Sequence, residues 1–173
     1  MKAMPMILVL LVLLPNRAFA EMPSVEDRLG MIDAVTSIAA GADRHDWNRV
    51  RQAFSGKVTL NYTSLWGGEA ETKDAEEIIA QWSNFLPGFD RTLHLITNHT
   101  VTSFDQTSAT MEADFQAAHR FGTDHWVLSG HYVYGLEKSN GRWRVNALTM
   151  DWTHETGDRG LVGHAAKRAE KSQ

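Results

Sequence analysis

The stretch from Thr92 to Trp152 does most to limit what this chain can become. Its four segments, Thr92 to Ser103, Ser108 to Phe121, His125 to Glu137 and Trp143 to Trp152, are rich in Thr, Val, Tyr and Trp. Such residues fit a pleated, half-buried surface better than a helix. The links between them are too short for crossovers: Asp105-Gln106, Gly122-Thr123-Asp124 and Asn140-Gly141. Asn-Gly is a strong hairpin signal because both residues tolerate positive φ. Consecutive segments are therefore antiparallel neighbours in one sheet.

The first half reads as helices with one strand. Ser24 is a good N-cap, and Glu26 and Asp27 behind it suit the positive end of a helix dipole. Leu29, Ile32, Val35, Ile38 and Ala39 then recur at three- and four-residue spacing, so one face is buried, and Gly41 marks a frayed end. A second helix is expected over Asp46 to Phe54. Lys57 to Thr63 alternates as a strand, Trp66-Gly67-Gly68 breaks it, and Thr72 caps a third helix, Lys73 to Phe85, that Pro87 and Gly88 stop. This order is α+β. Long strands curling around helices leave a concave face, where pockets form.

Residues 1–20 carry Lys2, the apolar run Met6 to Leu14 and the small-x-small pattern Ala18-Phe19-Ala20. This is the layout of a signal peptide with cleavage expected after Ala20, and the run is far short of the ~20 residues that cross a bilayer. The expectation is a periplasmic or secreted protein with one domain over residues 21–156, a polar, loose tail over 157–173, and no stable membrane insertion after cleavage. The whole chain has 17 Lys and Arg against 21 Asp and Glu. Losing Lys2 and Arg17 moves the net charge from −4 to −6, which argues against nucleic acid as a partner. With no cysteine, thiol catalysis, disulfides and cysteine metal sites are excluded.

The candidate chemistry lies on predicted inward faces. His119 shares a face with Met111, Phe115 and other apolar residues, and His94, one strand earlier, shares one with Ile96 and Asn98. Burial without an acid partner keeps an imidazole neutral and able to accept a proton. A single inward His is as often a hydrogen-bonded core residue, but two entering one apolar space point to a site. Asp46 is the better cap for the second helix, which frees Asp43 to orient a histidine and stabilise its protonated ring. The eight His residues show no HExxH or H-x-H spacing, so no metal site is expected.

The stretches Ala42-Asp43-Arg44-His45-Asp46-Trp47, Val58 to Tyr62, Thr92 to His99 and Ala117-Ala118-His119 resemble SnoaL-like and scytalone-dehydratase-like proteins of the nuclear-transport-factor-two-like superfamily. The resemblance implies a cone: a curved mixed or antiparallel sheet around about three N-terminal helices, enclosing an apolar pocket. It implies that Asp43 and His94 form an Asp–His dyad, with His119 a second active-site histidine and Tyr62 a pocket tyrosine. A second tyrosine position of the dehydratase is Ala42 here, and its pocket Ser and Asn fall on Gly130 and Tyr132. Two functional readings follow. One is a cofactor-independent lyase, dehydratase-like, or isomerase for a small cyclic or aromatic molecule, in which Tyr62 and His119 donate hydrogen bonds. The other is a non-catalytic binding protein for an apolar small molecule. In either, Trp82, Asn98, Met111, Phe115, Trp126 and Tyr132 are the expected ligand contacts, and a homo-oligomer, dimer or trimer, is compatible with the exposed side of the sheet.

Overall fold

The computed structural model describes residues 22–171; the expected signal peptide lies outside them. Helix α1 (Val25–Arg44) starts as its sequence dictates, with the Ser24 hydroxyl accepting from the Asp27 N–H at 3.0 Å. It runs past Gly41 and ends at His45, whose φ of 55° is left-handed. Helix α2 (Trp47–Ala53) follows at once, capped by Asp46 Oδ1, which accepts from the Arg49 N–H at 3.1 Å. Asp43 is therefore free of that duty. The remaining elements are β1 (Phe54–Asn61), α3 (Thr63–Trp66), β2 (Glu71–Asp74), α4 (Ala75–Ser83), a 3-10 turn (Leu86–Gly88), β3 (Arg91–Asp105), β4 (Ser108–Phe121), β5 (Asp124–Ser139), β6 (Arg142–Gly157) and α5 (Leu161–Glu170).

The fold is α+β, with one curved, unclosed, six-stranded mixed sheet in the order β2-β1-β6-β5-β4-β3. All pairs are antiparallel except β1 with β6. Asn140 and Gly141 both take positive φ, 52° and 75°, in the β5–β6 hairpin that their dipeptide predicts. The inner face of the sheet alternates strictly along β4 and β5, burying Met111, Ala113, Phe115, Ala117 and His119 against Trp126, Leu128, Tyr132, Tyr134 and Leu136. Helix α1 closes over that face. Its first turn is tied to the β5–β6 hairpin through Asp27, which accepts from Lys138 Nζ at 2.6 Å and Trp143 Nε1 at 2.9 Å.

Three expectations are corrected here. Thr72 and Lys73, expected as the cap and start of a helix, pair instead with β1 as part of β2. That strand is charged and carries no apolar alternation to betray it; Lys57–Asp74 and the Thr59–Thr72 hydroxyls hold it. Asn98 does not share the inward face of His94. A bulge between Thr97 and Thr100 puts Asn98 at φ 56° and turns it outward, where it donates to Asp114. Residues 161–170, expected to be loose, form α5. Its buried stripe is Leu161, Ala165 and Ala169, so the spacing is helical but the side chains are too small to stand out. The docking is close: a Cβ on Gly88 would lie 1.8 Å from the Ala165 carbonyl oxygen.

Candidate active site: a paired histidine on an apolar cavity

The inner face, α1, α3, α4 and α5 enclose a cavity of about 130 Å³. That compares with the ~150 Å³ of an apolar cavity that takes a benzene-sized ring. His94, His119, Tyr62, Trp82, Trp126 and Tyr132 all line it. Met111 and Phe115 do not. Both are packed in the core, and Phe115 stacks on Tyr132 with ring centroids 4.2 Å apart.

Asp43 reaches this wall from the last turn of α1. It lies one residue past the buried Ala42, so its side chain leaves the packed face and points at β3. Its Oδ1 accepts from His94 Nδ1–H at 2.7 Å and from the Thr92 hydroxyl at 2.8 Å, and its Oδ2 accepts from the His94 backbone N–H at 2.7 Å. Only 9% of the Asp43 side chain and 18% of the His94 side chain remain exposed. Burial pushes the Asp43 carboxyl up, but the hydrogen bonds from His94 and Thr92 together with the His94 charge outweigh it and hold the group below its usual range. A carboxylate can only accept, so Nδ1 carries a ring proton and Nε2 is the nitrogen turned away from Asp43, the lone-pair position of the neutral ring.

His119 is 5% exposed, stacked on Trp126 with centroids 4.8 Å apart and edge-on to His94 at 5.4 Å. Burial, reinforced by charge on His94, lowers it to about 4, against the smaller opposing pull of the Trp126 carbonyl and Asp43. Its Nδ1 lies 3.3 Å from the Trp126 carbonyl oxygen, which again fixes the proton on Nδ1. Nε2 of His119 is thus an acceptor. This departs from the expectation that His119 donates to a ligand oxygen.

Tyr134, Trp66 and Val162 also line the cavity, beyond the expected ligand contacts. Tyr134 follows Tyr132 by two on the same inward face, so alternation carried the signal. Trp66 sits on the one-turn helix α3 and Val162 on α5, in segments whose placement no periodicity reveals. Arg159 fastens these parts together. Its guanidinium lies over both the Trp66 and Trp152 rings, at 5.4 and 5.3 Å, donates to Glu155 at 2.6 Å and to the Leu65 carbonyl at 2.9 Å. Glu155 in turn accepts from Trp126 Nε1 at 2.8 Å. Among the described residues no cluster of three or more His, Asp or Glu side chains is placed to hold a metal ion.

The family model of the SnoaL-like domain matches residues 23–149. The chain belongs to the SnoaL-like domain family. Solved structures agree on the fold of this SnoaL-like protein. A candidate aromatic ring hydroxylase from Novosphingobium aromaticivorans is similar with a TM-score of 0.72 at 19% identity, over 82% of this chain and 99% of the other. A candidate scytalone dehydratase from the same species gives 0.64 at 16%, over 76% and 87%. Hexachlorocyclohexane dehydrochlorinase LinA-type3 from Novosphingobium barchaimii gives 0.64 at 16%, over 77% and 90%. No curated protein sequence matches significantly. At these identities the likeness establishes the cone fold, and chemistry has to be argued from the site.

Proposed function

We propose that this SnoaL-like protein is a cofactor-independent lyase or isomerase for a small cyclic or aromatic molecule, with His94 as general base and Asp43 as its orienting partner. The observation that carries the reading is the 2.7 Å hydrogen bond between His94 Nδ1 and Asp43 Oδ1 at the wall of an apolar cavity. With Nδ1 occupied, His94 Nε2 takes a proton from a substrate carbon, and the charge that develops on the ring sits beside a carboxylate. The released C–H electron pair either forms a double bond as a leaving group departs from the adjacent carbon, or recaptures that proton at another carbon. The first outcome is elimination, the second isomerisation. In elimination the leaving group takes its bonding electrons, a halide as the free anion or a hydroxyl as water after taking the proton His94 has collected. His119 Nε2 accepts from a substrate hydroxyl and aligns the ring.

The test uses purified protein against a panel of hydroxylated and halogenated six-membered rings, followed by mass and proton-exchange analysis. Asp43→Asn and His94→Gln should each lower any turnover found by about 10²–10⁴-fold, the usual contribution of a positioned base. Both variants turning over at the wild-type rate would sink the reading. A second reading, ligand binding without chemistry, draws on Ala42 and Gly130. Ala42 brings no hydroxyl to the cavity, and a side chain at Gly130 would meet the Asp151 carbonyl oxygen at 2.2 Å. Recovery of a bound ring unaltered, with no exchange of its protons, favours that second reading.

A further inference from the structure

The cavity holds more hydrogen-bond donors than the proposed chemistry uses. Tyr132 and Tyr134 are 6% and 2% exposed, and both line the cavity together with Tyr62. The three belong to one cluster. Tyr132 and Tyr134 follow each other on the inward face of β5 with ring centroids 5.5 Å apart, and Tyr62 leaves the end of β1, which reaches them through its β6 partners Leu148 and Thr149. None of the three hydroxyls has a hydrogen-bond partner among the described residues. They are not among the sealed, unpartnered polar atoms of the core, so they open onto the cavity, where a ligand can supply the partner. The cluster also sits away from the histidines: Tyr132 lies six residues along β5 from Trp126, the residue stacked on His119.

The charge environment narrows what these donors can meet. No Lys or Arg lines the cavity; Arg159, packed behind the lining Trp66, is already paired with Glu155, and the Asp43 carboxylate lies behind His94. A buried carboxylate or phosphate would have no counter-charge there. The phenols stay neutral, since burial raises all three.

Resting on the reading of this cavity as the ligand site, we infer that Tyr132 and Tyr134, with Tyr62, form a separate specificity subsite that grips an uncharged oxygen acceptor at the end of the ligand remote from His94. The ligand class is therefore a neutral oxygenated ring, with a carbonyl or ether oxygen among the tyrosines, and neither a plain hydrocarbon nor an anionic acid.

Binding can be measured without any turnover, using indan-1-one, indane and indane-1-carboxylate as matched probes by titration calorimetry. Indan-1-one should bind at least about tenfold more tightly than indane, and the carboxylate most weakly. Tyr132→Phe and Tyr134→Phe keep the packed rings and should fold as well as wild type, since neither hydroxyl is bonded to another described residue. Each should weaken indan-1-one binding about five- to a hundredfold and leave indane unchanged, matching the cost of stranding a ligand acceptor. His94→Gln should keep the ketone preference, so loss of catalysis and loss of this subsite read out separately. The inference is overturned if the ketone binds no better than the hydrocarbon or not at all, if both Phe variants bind it like wild type, or if the carboxylate binds as tightly.

Discussion

His119 shows how a single side chain can be set by what surrounds it. Its ring lies between Phe89 and Trp126, at 5.0 and 4.8 Å, with its edge toward His94, and burial holds it near 4. An unfolded histidine titrates near 6.5. Between those values the unfolded chain carries a proton that the folded chain refuses, so stability falls as pH drops through this window. From about pH 7.5 to about pH 4.5 the wild type should lose about 2–3 kcal/mol that His119→Gln does not lose. Urea unfolding of both proteins at the two pH values measures the difference, and parallel losses would mean the ring protonates freely in the fold. The chemical logic of Asp43 was readable at this scale. Asp46 stood in the better capping position, and that cap is formed, leaving Asp43 for Thr92 and His94. Asn98 was not readable, because one residue in left-handed conformation at a bulge reverses which face it joins.

At the scale of elements, α5 completes part of the cavity wall. It contributes Val162 to the wall, and Arg159 just before it locks onto Trp66, Trp152 and Glu155. The helix docks where Gly88 leaves no room for a Cβ beside Ala165. Gly88→Ala should therefore cost about 1–3 kcal/mol, the usual range for overpacking, and should free α5 first. Hydrogen exchange resolved by segment tests this, with the expected result a faster exchange in 161–170 than in β4 and β5. Uniform acceleration, or none, would show that the approach of Ala165 to Gly88 does not hold the helix. The long strands were legible because their apolar residues are large and alternate. Helix α5 and strand β2 were not, since one packs through alanines and the other pairs through charged and hydroxyl side chains.

For the whole molecule, the cone carries an apolar cavity on one face of the sheet and a solvent-facing surface on the other, where Leu93, Leu95 and Val133 are 50%, 51% and 37% exposed. Among the described residues no helix is long and apolar enough to cross a membrane. The layout of residues 1–20 leads us to propose that the protein is exported and acts outside the cytoplasm. Expression in a Gram-negative host followed by fractionation should place a product beginning at Glu21 in the periplasm, by N-terminal sequencing. Full-length protein retained in the cytoplasm would refute export.

By itself the sequence determined the class of fold, the hairpin order of the four long strands and the inward faces carrying His94 and His119. These follow from side-chain alternation and turn chemistry, which are local properties of a chain. The tertiary structure decided what those residues meet. The Asp43–His94 hydrogen bond joins positions 51 residues apart, and Tyr62 meets Tyr132 and Tyr134 only because β1 runs parallel beside β6. The tautomer of His119 depends on a carbonyl seven residues away across a turn. Contacts of that kind arise from the curvature and register of the finished sheet, and no local pattern along the chain encodes them.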